Sequence, residues 1–308
     1  MSKRVLVIGS INVDYVIHTE RLPQLGETLM GSGFSTNLGG KGANQAVALA
    51  KAGCEVRMLG AVGKDPSADL ALGALSGFGV DCTYVMRVDA PTGAAVITVC
   101  GGNNHILLGG GANELVTPEA IRAHAHLLDW ADVLVMQYEI PTQSVLCAAR
   151  MAHERGKTVL LNPAPVKEVD PALYAYVDLI LPNEFEAKLI TGIDPVDEPS
   201  AEAAIKALRS LGCQNAVITL GSRGCAYGEG EAVCFAGIYP VTAVDTTAAG
   251  DSFIGGLCFK LCQGWEMSRA VSYASAVSAI AVSRHGASAS IPTADEVEAF
   301  LRERKLAE

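Results

Sequence analysis

One carboxylate, Asp251, follows a run of small residues at the start of a helical pattern, in the stretch Asp245-Thr246-Thr247-Ala248-Ala249-Gly250-Asp251-Ser252-Phe253. Small residues at a helix start leave backbone N–H groups uncovered, and these groups together with the helix dipole stabilise an anion. Asp251 could then orient an attacking hydroxyl and accept its proton during phosphoryl transfer. An isolated Gly250-Asp251-Ser252 would more often only begin a helix, so other motifs must decide between these interpretations.

The same nine residues resemble the D-T-x-[GA]-A-G-D-[ST]-F signature of the ribokinase family of carbohydrate kinases. A second signature of that family has its counterpart near the N-terminus, in Gly39-Gly40-Lys41-Gly42-Ala43-Asn44-Gln45-Ala46. The order and spacing of further motifs agree over essentially the whole chain. The resemblance implies ATP-dependent phosphorylation of D-ribose at O5, with Asp251 as the base and with Ala248, Ala249 and Gly250 stabilising the transferred charge.

The glycine cluster near the N-terminus indicates that the backbone approaches another group closely and then begins a helix. A simple turn is an equally good interpretation of the cluster alone. It is not a P-loop, because Gly42 rather than Ser or Thr follows Lys41 and the required upstream glycine is absent. The resemblance places Gly40, Lys41, Gly42 and Asn44 in the sugar site.

Two polar residues, Asn12 and Asp14, follow the first predicted strand. The segment lacks the second and third glycines of a dinucleotide fingerprint, which disfavours a dehydrogenase. The resemblance makes both residues sugar contacts. A carboxylate that accepts hydrogen bonds from two neighbouring hydroxyls binds a polyol strongly. Glu139 follows another strand, where ligand binding and helix capping are equally compatible with its position. The resemblance makes Glu139 and Asp251 further sugar contacts.

The segment Asn183-Glu184-Phe185-Glu186 resembles the family's N-x-x-E motif, in which the carboxylate organises Mg²⁺ through water. Taken alone, it predicts a helix cap in which Glu186 reaches back to Asn183, and the two roles are compatible. The resemblance also implies an ATP site formed by Asn183, Thr219, Gly221, Ser222, Gly224, Gly250 and Ser275. Ser275 stands where relatives carry His, which leaves the adenine contacts open.

A potassium site is the least obvious implication of the resemblance. Its predicted ligands are Asp245, Thr247, Ala281, Arg284, Gly286 and Ser290, of which only Asp245 and Ser290 would use side chains. The alternative is that Asp245 only caps the turn to Thr247. Ala248 occupies a position where the family often has Gly, and we expect its methyl group to be tolerated only at negative φ.

Short apolar runs alternate with helical stretches from about residue 130, a pattern typical of a parallel sheet with crossover helices. The predicted strands are Val5–Ile8, Val133–Met136, Val159–Leu161, Leu179–Leu181 and Ala216–Leu220. The predicted helices are Ala43–Ala52, Thr142–Arg155, Glu184–Thr191, Ala201–Leu211 and Ala294–Arg304. Segments 15–36 and 83–108 break this rhythm and predict a small β-sheet lid. We therefore expect one α/β domain over 1–308, a three-layer αβα sandwich with a mostly parallel sheet.

Composition excludes several classes of protein. The chain has 308 residues, half of them hydrophobic, yet its apolar stretches end well before the roughly 20 residues of a membrane span. The apolar run after the N-terminal basic residues is too short for a signal peptide, which predicts a cytoplasmic protein. A net charge of −10 argues against nucleic acid or a membrane as partner, and nine scattered cysteines indicate a reducing compartment.

The sequence is also compatible with functions other than that of a ribose kinase. The same chemistry could act on deoxyribose, another pentose, a ketose or a nucleoside. A non-catalytic sugar sensor is a rival from another class, although intact Asp251, Gly250 and Glu186 argue against it. The apolar run Ala94–Cys100 in the predicted lid is compatible with the homodimer that the resemblance implies.

Overall fold

The computed structural model describes residues 3–101 and 103–305, so Gly102, within the segment 83–108 predicted to join the lid, lies outside the described residues. The strands are β1 (Arg4–Ile8), β2 (Asn12–Thr19), β3 (Gly33–Gly39), β4 (Glu55–Leu59), β5 (Ala61–Val62), β6 (Met86–Arg87), β7 (Gly93–Cys100), β8 (Asn103–Gly109), β9 (Val133–Gln137), β10 (Thr158–Asn162), β11 (Leu179–Ile180), β12 (Asn215–Thr219), β13 (Cys225–Glu229) and β14 (Ala232–Ala236). The helices are α1 (Lys41–Ala52), α2 (Pro66–Gly77), α3 (Pro118–Ala123), α4 (His126–Trp130), α5 (Thr142–His153), α6 (Glu184–Thr191), α7 (Glu198–Ser210), α8 (Ala249–Cys262), α9 (Met267–Val282) and α10 (Ala294–Lys305).

Eight strands form one sheet in the order β14-β13-β12-β11-β10-β9-β1-β4. The strands from β12 to β4 pair in parallel, and β13 and β14 add an antiparallel edge. Strand β1 is apolar from Val5 to Ile8 because both of its faces are buried: Val5 and Val7 pack into one core, and Leu6 and Ile8 into the other. The predicted, mostly parallel sheet is confirmed.

Helices cover both faces of this sheet and complete three layers. Helices α1, α2, α8 and α9 pack into the core that contains Val5, whereas α3 to α7 pack into the core that contains Leu6. Gly156 and Gly212 lie just beyond α5 and α7 with positive φ, a conformation that glycine adopts where helices end. Across residues 3–101 and 103–305, no helix combines the length and the apolar character needed to cross a membrane.

A second sheet, which we call the lid, has the strand order β3-β2-β7-β8. Strand β2 pairs in parallel with β7, and β3 and β8 pair antiparallel at the two edges. The lid begins earlier than residue 15, at Asn12, and the second predicted segment joins it only from Gly93. Met86–Arg87 pairs instead with Ala61–Val62 in a separate two-stranded sheet.

Only three residues, Gly9-Ser10-Ile11, separate β1 in the body from β2 in the lid. Asn12 and Asp14 at the start of β2 therefore lie where the two sheets meet. Strands β1, β9, β10 and β12 run in the same direction, so the residues that follow them gather at one edge of the body. Open α/β sheets bind ligands at this edge.

Candidate active site

Asp251 lies in the first turn of α8, and its side chain is buried. Both of its carboxylate oxygens accept hydrogen bonds from α1: Nδ2 of Asn44 donates to Oδ2 at 3.1 Å, and Nε2 of Gln45 donates to Oδ1 at 2.9 Å. The two helices can approach closely because Gly255 has no side chain, and a Cβ at this position would overlap that of Ala48. The glycine-rich segment and the motif around Asp251, far apart in sequence, thus form one site.

The turn into α8 corrects one prediction. Ala248 has φ +59°, in the left-handed region, so the expectation of a negative φ at this position is wrong. Its carbonyl accepts the N–H of Ser252 at 2.8 Å, which starts the helix. A left-handed conformation costs an L-residue about 1 kcal/mol, and the surrounding structure therefore holds Ala248 against its own preference.

Replacing Ala248 with glycine should relieve this strain. We expect Ala248→Gly to raise the free energy of unfolding by roughly 0.5 to 1 kcal/mol, because glycine adopts positive φ without steric cost. Ala249→Gly is the matched control, since Ala249 is the first residue of α8 and glycine there gains nothing. Urea denaturation would measure both. Equal destabilisation by the two substitutions would contradict a strained Ala248.

Glu139 stabilises the start of α1. Its Oε2 accepts the backbone N–H of Lys41 at 3.0 Å and the hydroxyl of Ser10 at 2.6 Å. The same hydroxyl accepts the N–H of Gly42 at 3.2 Å, and a Cβ on Gly42 would meet the backbone of Ser10. Glu139 therefore caps α1 and not α5, the helix that follows it in sequence. Ser10 links Glu139 to the start of α1, a role that its position in the sequence did not indicate.

Asn12 is oriented by a residue that the sequence did not reveal, Asn113. Nδ2 of Asn113 donates to Oδ1 of Asn12 at 2.7 Å, and Oδ1 of Asn113 accepts the N–H of Ile11 at 2.9 Å. Since a main-chain donor fixes the orientation of Asn113, the amide oxygen of Asn12 is committed to this contact. Asn12 can therefore act toward a ligand through its Nδ2 donors.

Two charged side chains in the site have shifted pKa values. Burial, reinforced by the negative charges of Glu139 and Asp251, raises the pKa of Asp14 to about 7. Burial lowers the pKa of Lys41, but the carboxylates of Asp251, Glu139 and Glu186 outweigh it and raise that pKa above its ordinary value. Lys41 thus stays a cation among carboxylates, where it could also face a phosphate.

Two adjoining cavities of about 390 Å³ each open beside Asp251, within the usual size range of ligand pockets. The first is polar, and its lining includes Lys41, Asn162, Asn183, Glu186, Thr246, Ala248, Ala249, Gly250 and Asp251. The second is largely apolar, and its lining includes Ser222, Gly224, Ile238, Tyr239, Val241, Phe253, Ser275 and Val282. Thr219, Gly221, Thr246, Ala249 and Gly250 line both, so one elongated ligand could occupy both cavities.

The capping arrangement predicted for Asn183 and Glu186 is present at the start of α6. Oδ1 of Asn183 accepts the N–H of Glu186, and Oε2 of Glu186 accepts the N–H of Asn183, both at 2.8 Å. Burial raises the pKa of Glu186. Both residues also line the polar cavity, so the cap fixes their positions beside it. Arg223 lies outside it and donates to Glu184 at 2.9 Å.

The residues predicted to bind potassium lie on two loops that Asp245 joins, except for Ala281, which lies in the last turn of α9. Oδ1 of Asp245 accepts the N–H of Thr247 at 2.9 Å, and its Oδ2 accepts the N–H of Gly286 at 3.0 Å. Burial opposes ionisation of Asp245, but these hydrogen bonds outweigh it and lower the pKa. Ser290 donates its hydroxyl to the carbonyl of Ala287 at 2.8 Å, which leaves its oxygen able to accept. The oxygen-rich set fits a large, weakly hydrated cation.

A three-layer α/β body, a lid, and a buried carboxylate at a helix N-terminus beside paired polar and apolar cavities together define a sugar kinase. The sequence pattern of the pfkB family of carbohydrate kinases matches residues 2–294. The chain belongs to this family.

Relatives include enzymes named for two different sugars. A ribokinase of Haemophilus influenzae is 38% identical over 304 residues, which cover 98% of this chain and 99% of the relative. A deoxyribokinase of Salmonella typhi is 36% identical over 301 residues, with 96% and 98% covered. The solved structure of Arabidopsis thaliana ribokinase with ribose and ATP superimposes with a TM-score of 0.92 at 31% identity, covering 98% of this chain and 99% of that one.

Proposed function

We propose that this protein transfers the γ-phosphoryl group of ATP to O5 of D-ribose and releases ribose 5-phosphate and ADP. The observation that carries the proposal is Asp251, buried at the start of α8 and facing the polar cavity. The proton of the O5 hydroxyl passes to Asp251 as the bond from O5 to phosphorus forms. The bond from the γ-phosphorus to its bridging oxygen breaks, and its electron pair leaves with ADP.

The two cavities suggest where each part of ATP binds. The adenine would occupy the apolar cavity, which contains Ser275, and the phosphates would extend past Thr219 and Gly221 toward Ala248 and Gly250. The ribose to be phosphorylated would contact Asn12, Asp14, Gly40, Lys41, Gly42, Asn44, Glu139 and Asp251. The Arabidopsis relative was solved with both ribose and ATP, which supports this pairing of ligands.

Two metal ions are part of the proposal. Glu186, capped in place at the edge of the polar cavity, would hold Mg²⁺ through water, and the ion would offset the negative charge of the phosphates. Potassium would bind between the two loops that Asp245 joins and the end of α9, through Asp245, Thr247, Ala281, Arg284, Gly286 and Ser290. Its charge would support the turn that carries Ala248.

We further propose that the protein is a cytoplasmic homodimer that pairs through the outer face of the lid. Exposed apolar side chains on that face are Ile17, Phe34, Val96 and Leu107. Burying them against the same face of a second copy would remove apolar surface from water. A monomer mass by light scattering at micromolar concentration would contradict the pairing.

ADP formation from Mg-ATP with a panel of pentoses, hexoses and nucleosides tests the function. Ribose should give the highest kcat/KM, and replacing Na⁺ with K⁺ should raise it. Deoxyribose is the most informative competitor, because ribokinase and deoxyribokinase relatives are about equally identical to this chain. A preference for deoxyribose or a nucleoside would keep the kinase and change its substrate, whereas sugar binding without any turnover would indicate a sensor.

A further inference from the structure

Behind Asp251 lies a chain of buried amide side chains, which we call the amide chain: Gln137 at the end of β9, Gln45 on α1 and Asn162 at the end of β10. Nε2 of Gln137 donates to Oε1 of Gln45 at 2.6 Å. Nε2 of Gln45 donates both to Oδ1 of Asn162 at 3.2 Å and to Oδ1 of Asp251 at 2.9 Å. Gln45 and Gln137 are fully buried.

A main-chain carbonyl fixes the direction of every bond in the amide chain. Nδ2 of Asn162 donates to the carbonyl of Leu181 at 2.8 Å, and a carbonyl can only accept. Oδ1 of Asn162 must therefore face Gln45, which must present its nitrogen to both Asn162 and Asp251. Since the oxygen of Gln45 is then committed to Gln137, Gln45 cannot rotate without breaking three buried hydrogen bonds.

The two side chains that donate to Asp251 differ in what remains for a substrate. Oδ1 of Asn44 is buried without a hydrogen-bond partner, so it can still accept a hydroxyl of a sugar. Both polar atoms of Gln45 are engaged by protein groups. Asn44 is therefore suited to bind substrate, and Gln45 to hold the carboxylate.

We infer that Gln45 is a positioning residue that fixes the orientation of the Asp251 carboxylate. Gln45 and Asn44 each donate to one oxygen of this carboxylate, and only Gln45 is itself held by protein groups at both of its polar atoms. A fixed orientation matters here because Asp14 on β2, Glu139 after β9 and Glu186 on α6 carry negative charge toward the site and Lys41 on α1 carries positive charge, and these charges act on the Asp251 carboxylate. The inference rests on the proposed role of Asp251 as the base.

Three variants separate positioning from stability. Gln45→Met removes the donor to Asp251 but leaves Gln137 without an acceptor. Gln137→Met also removes the hydrogen bond between Gln137 and Gln45, but it keeps Nε2 of Gln45 as the donor to Asp251. The double variant Gln45→Met/Gln137→Met removes both halves of that buried contact, which is less destabilising than leaving one half unpaired.

We expect kcat to fall about 10- to 100-fold in Gln45→Met and in the double variant, as misplacement of a reacting group does. Sugar and ATP KM should change less than about threefold. Gln137→Met should keep kcat within about threefold at a similar loss of thermal stability, because Asn162 still orients Nε2 of Gln45 toward Asp251.

The inference is overturned if kcat falls no further in Gln45→Met than in Gln137→Met, or if the sugar KM rises as much as kcat falls in both variants that lack Gln45. Asp251→Asn, measured in parallel, separates this failure from failure of the proposed function. Activity lost in Asp251→Asn but kept in Gln45→Met would leave the base assigned and remove only its positioning residue. Activity kept in Asp251→Asn would remove the base itself.

Discussion

Asp251→Asn should lower kcat by about 10³- to 10⁴-fold, because the change removes the proton acceptor and little volume. The amide retains one oxygen, so it can still accept from either Asn44 or Gln45, and the site should keep its shape. Sugar affinity, measured by calorimetry with ADP present, should therefore stay within about tenfold, since only one charged contact weakens.

Asp295→Asn on α10 is the matched control for this substitution, since it makes the same chemical change at an exposed position away from the cavities. It should leave both kcat and sugar affinity at wild-type values. A kcat of Asp251→Asn within tenfold of wild type would exclude Asp251 as the base. A loss of sugar binding as large as the loss of kcat would instead assign Asp251 mainly to recognition.

Asp14→Asn should weaken sugar binding and stabilise the fold at the same time. Losing a carboxylate that accepts two hydroxyls should raise the sugar KM about 10- to 100-fold. The fold should gain about 2 to 4 kcal/mol above pH 7, because the pKa of Asp14 is raised to about 7 and a buried charge no longer has to form.

The sign of this stability change depends on pH. Between the ordinary pKa of 3.8 and the folded value of about 7, the folded protein keeps the Asp14 proton while the unfolded chain loses it, so wild-type stability falls as pH rises. The gain from Asp14→Asn should therefore be small at pH 4 and complete above pH 7. Urea denaturation at both pH values checks it. An equal gain at both would show that the burial of charge is not its source.

The same pKa predicts how wild-type sugar binding varies with pH. If the ionised carboxylate reads the sugar hydroxyls, the sugar KM should rise as pH falls below about 7. The KM of Asp14→Asn should lack this dependence, because the amide does not titrate in this range. A pH-independent wild-type KM would mean that Asp14 binds sugar equally well when protonated.

The sequence predicted the body of the fold well because its signals are local. Strands such as β9 and β10 contain short apolar runs, Val133–Met136 and Val159–Leu161, and are separated by helices of ordinary period, so the alternation alone indicates the layers. Glu184–Thr191 was predicted with the observed bounds because an N-terminal cap and a C-terminal glycine mark its ends. The lid was harder to bound, since β2 follows β1 with only a short connection.

The site was predicted where one motif carries the chemistry and missed where distant residues meet. Gln45 is adjacent to Asn44 in sequence, but its role depends on Asn162, which is 117 residues away. Asn113 lies in a short turn that has no periodic pattern, and its partner Asn12 is 101 residues away. Ala248 was predicted wrongly because local preference opposes positive φ, and about 1 kcal/mol is small beside the packing of α8.

Asp14 belongs to a lid strand, whereas Asp251 belongs to a body helix, and three residues separate β1 from β2. A sugar that contacts both carboxylates would therefore bridge the lid and the body. Each hydroxyl contact would add to the free energy that favours the lid closed over the body. A sugar that lacks one of these hydroxyls would bind to a more open molecule, with its phosphoryl donor still accessible to water. Two steps would then discriminate between sugars: the affinity of binding, and the fraction of bound complexes in which the lid closes and the reaction proceeds.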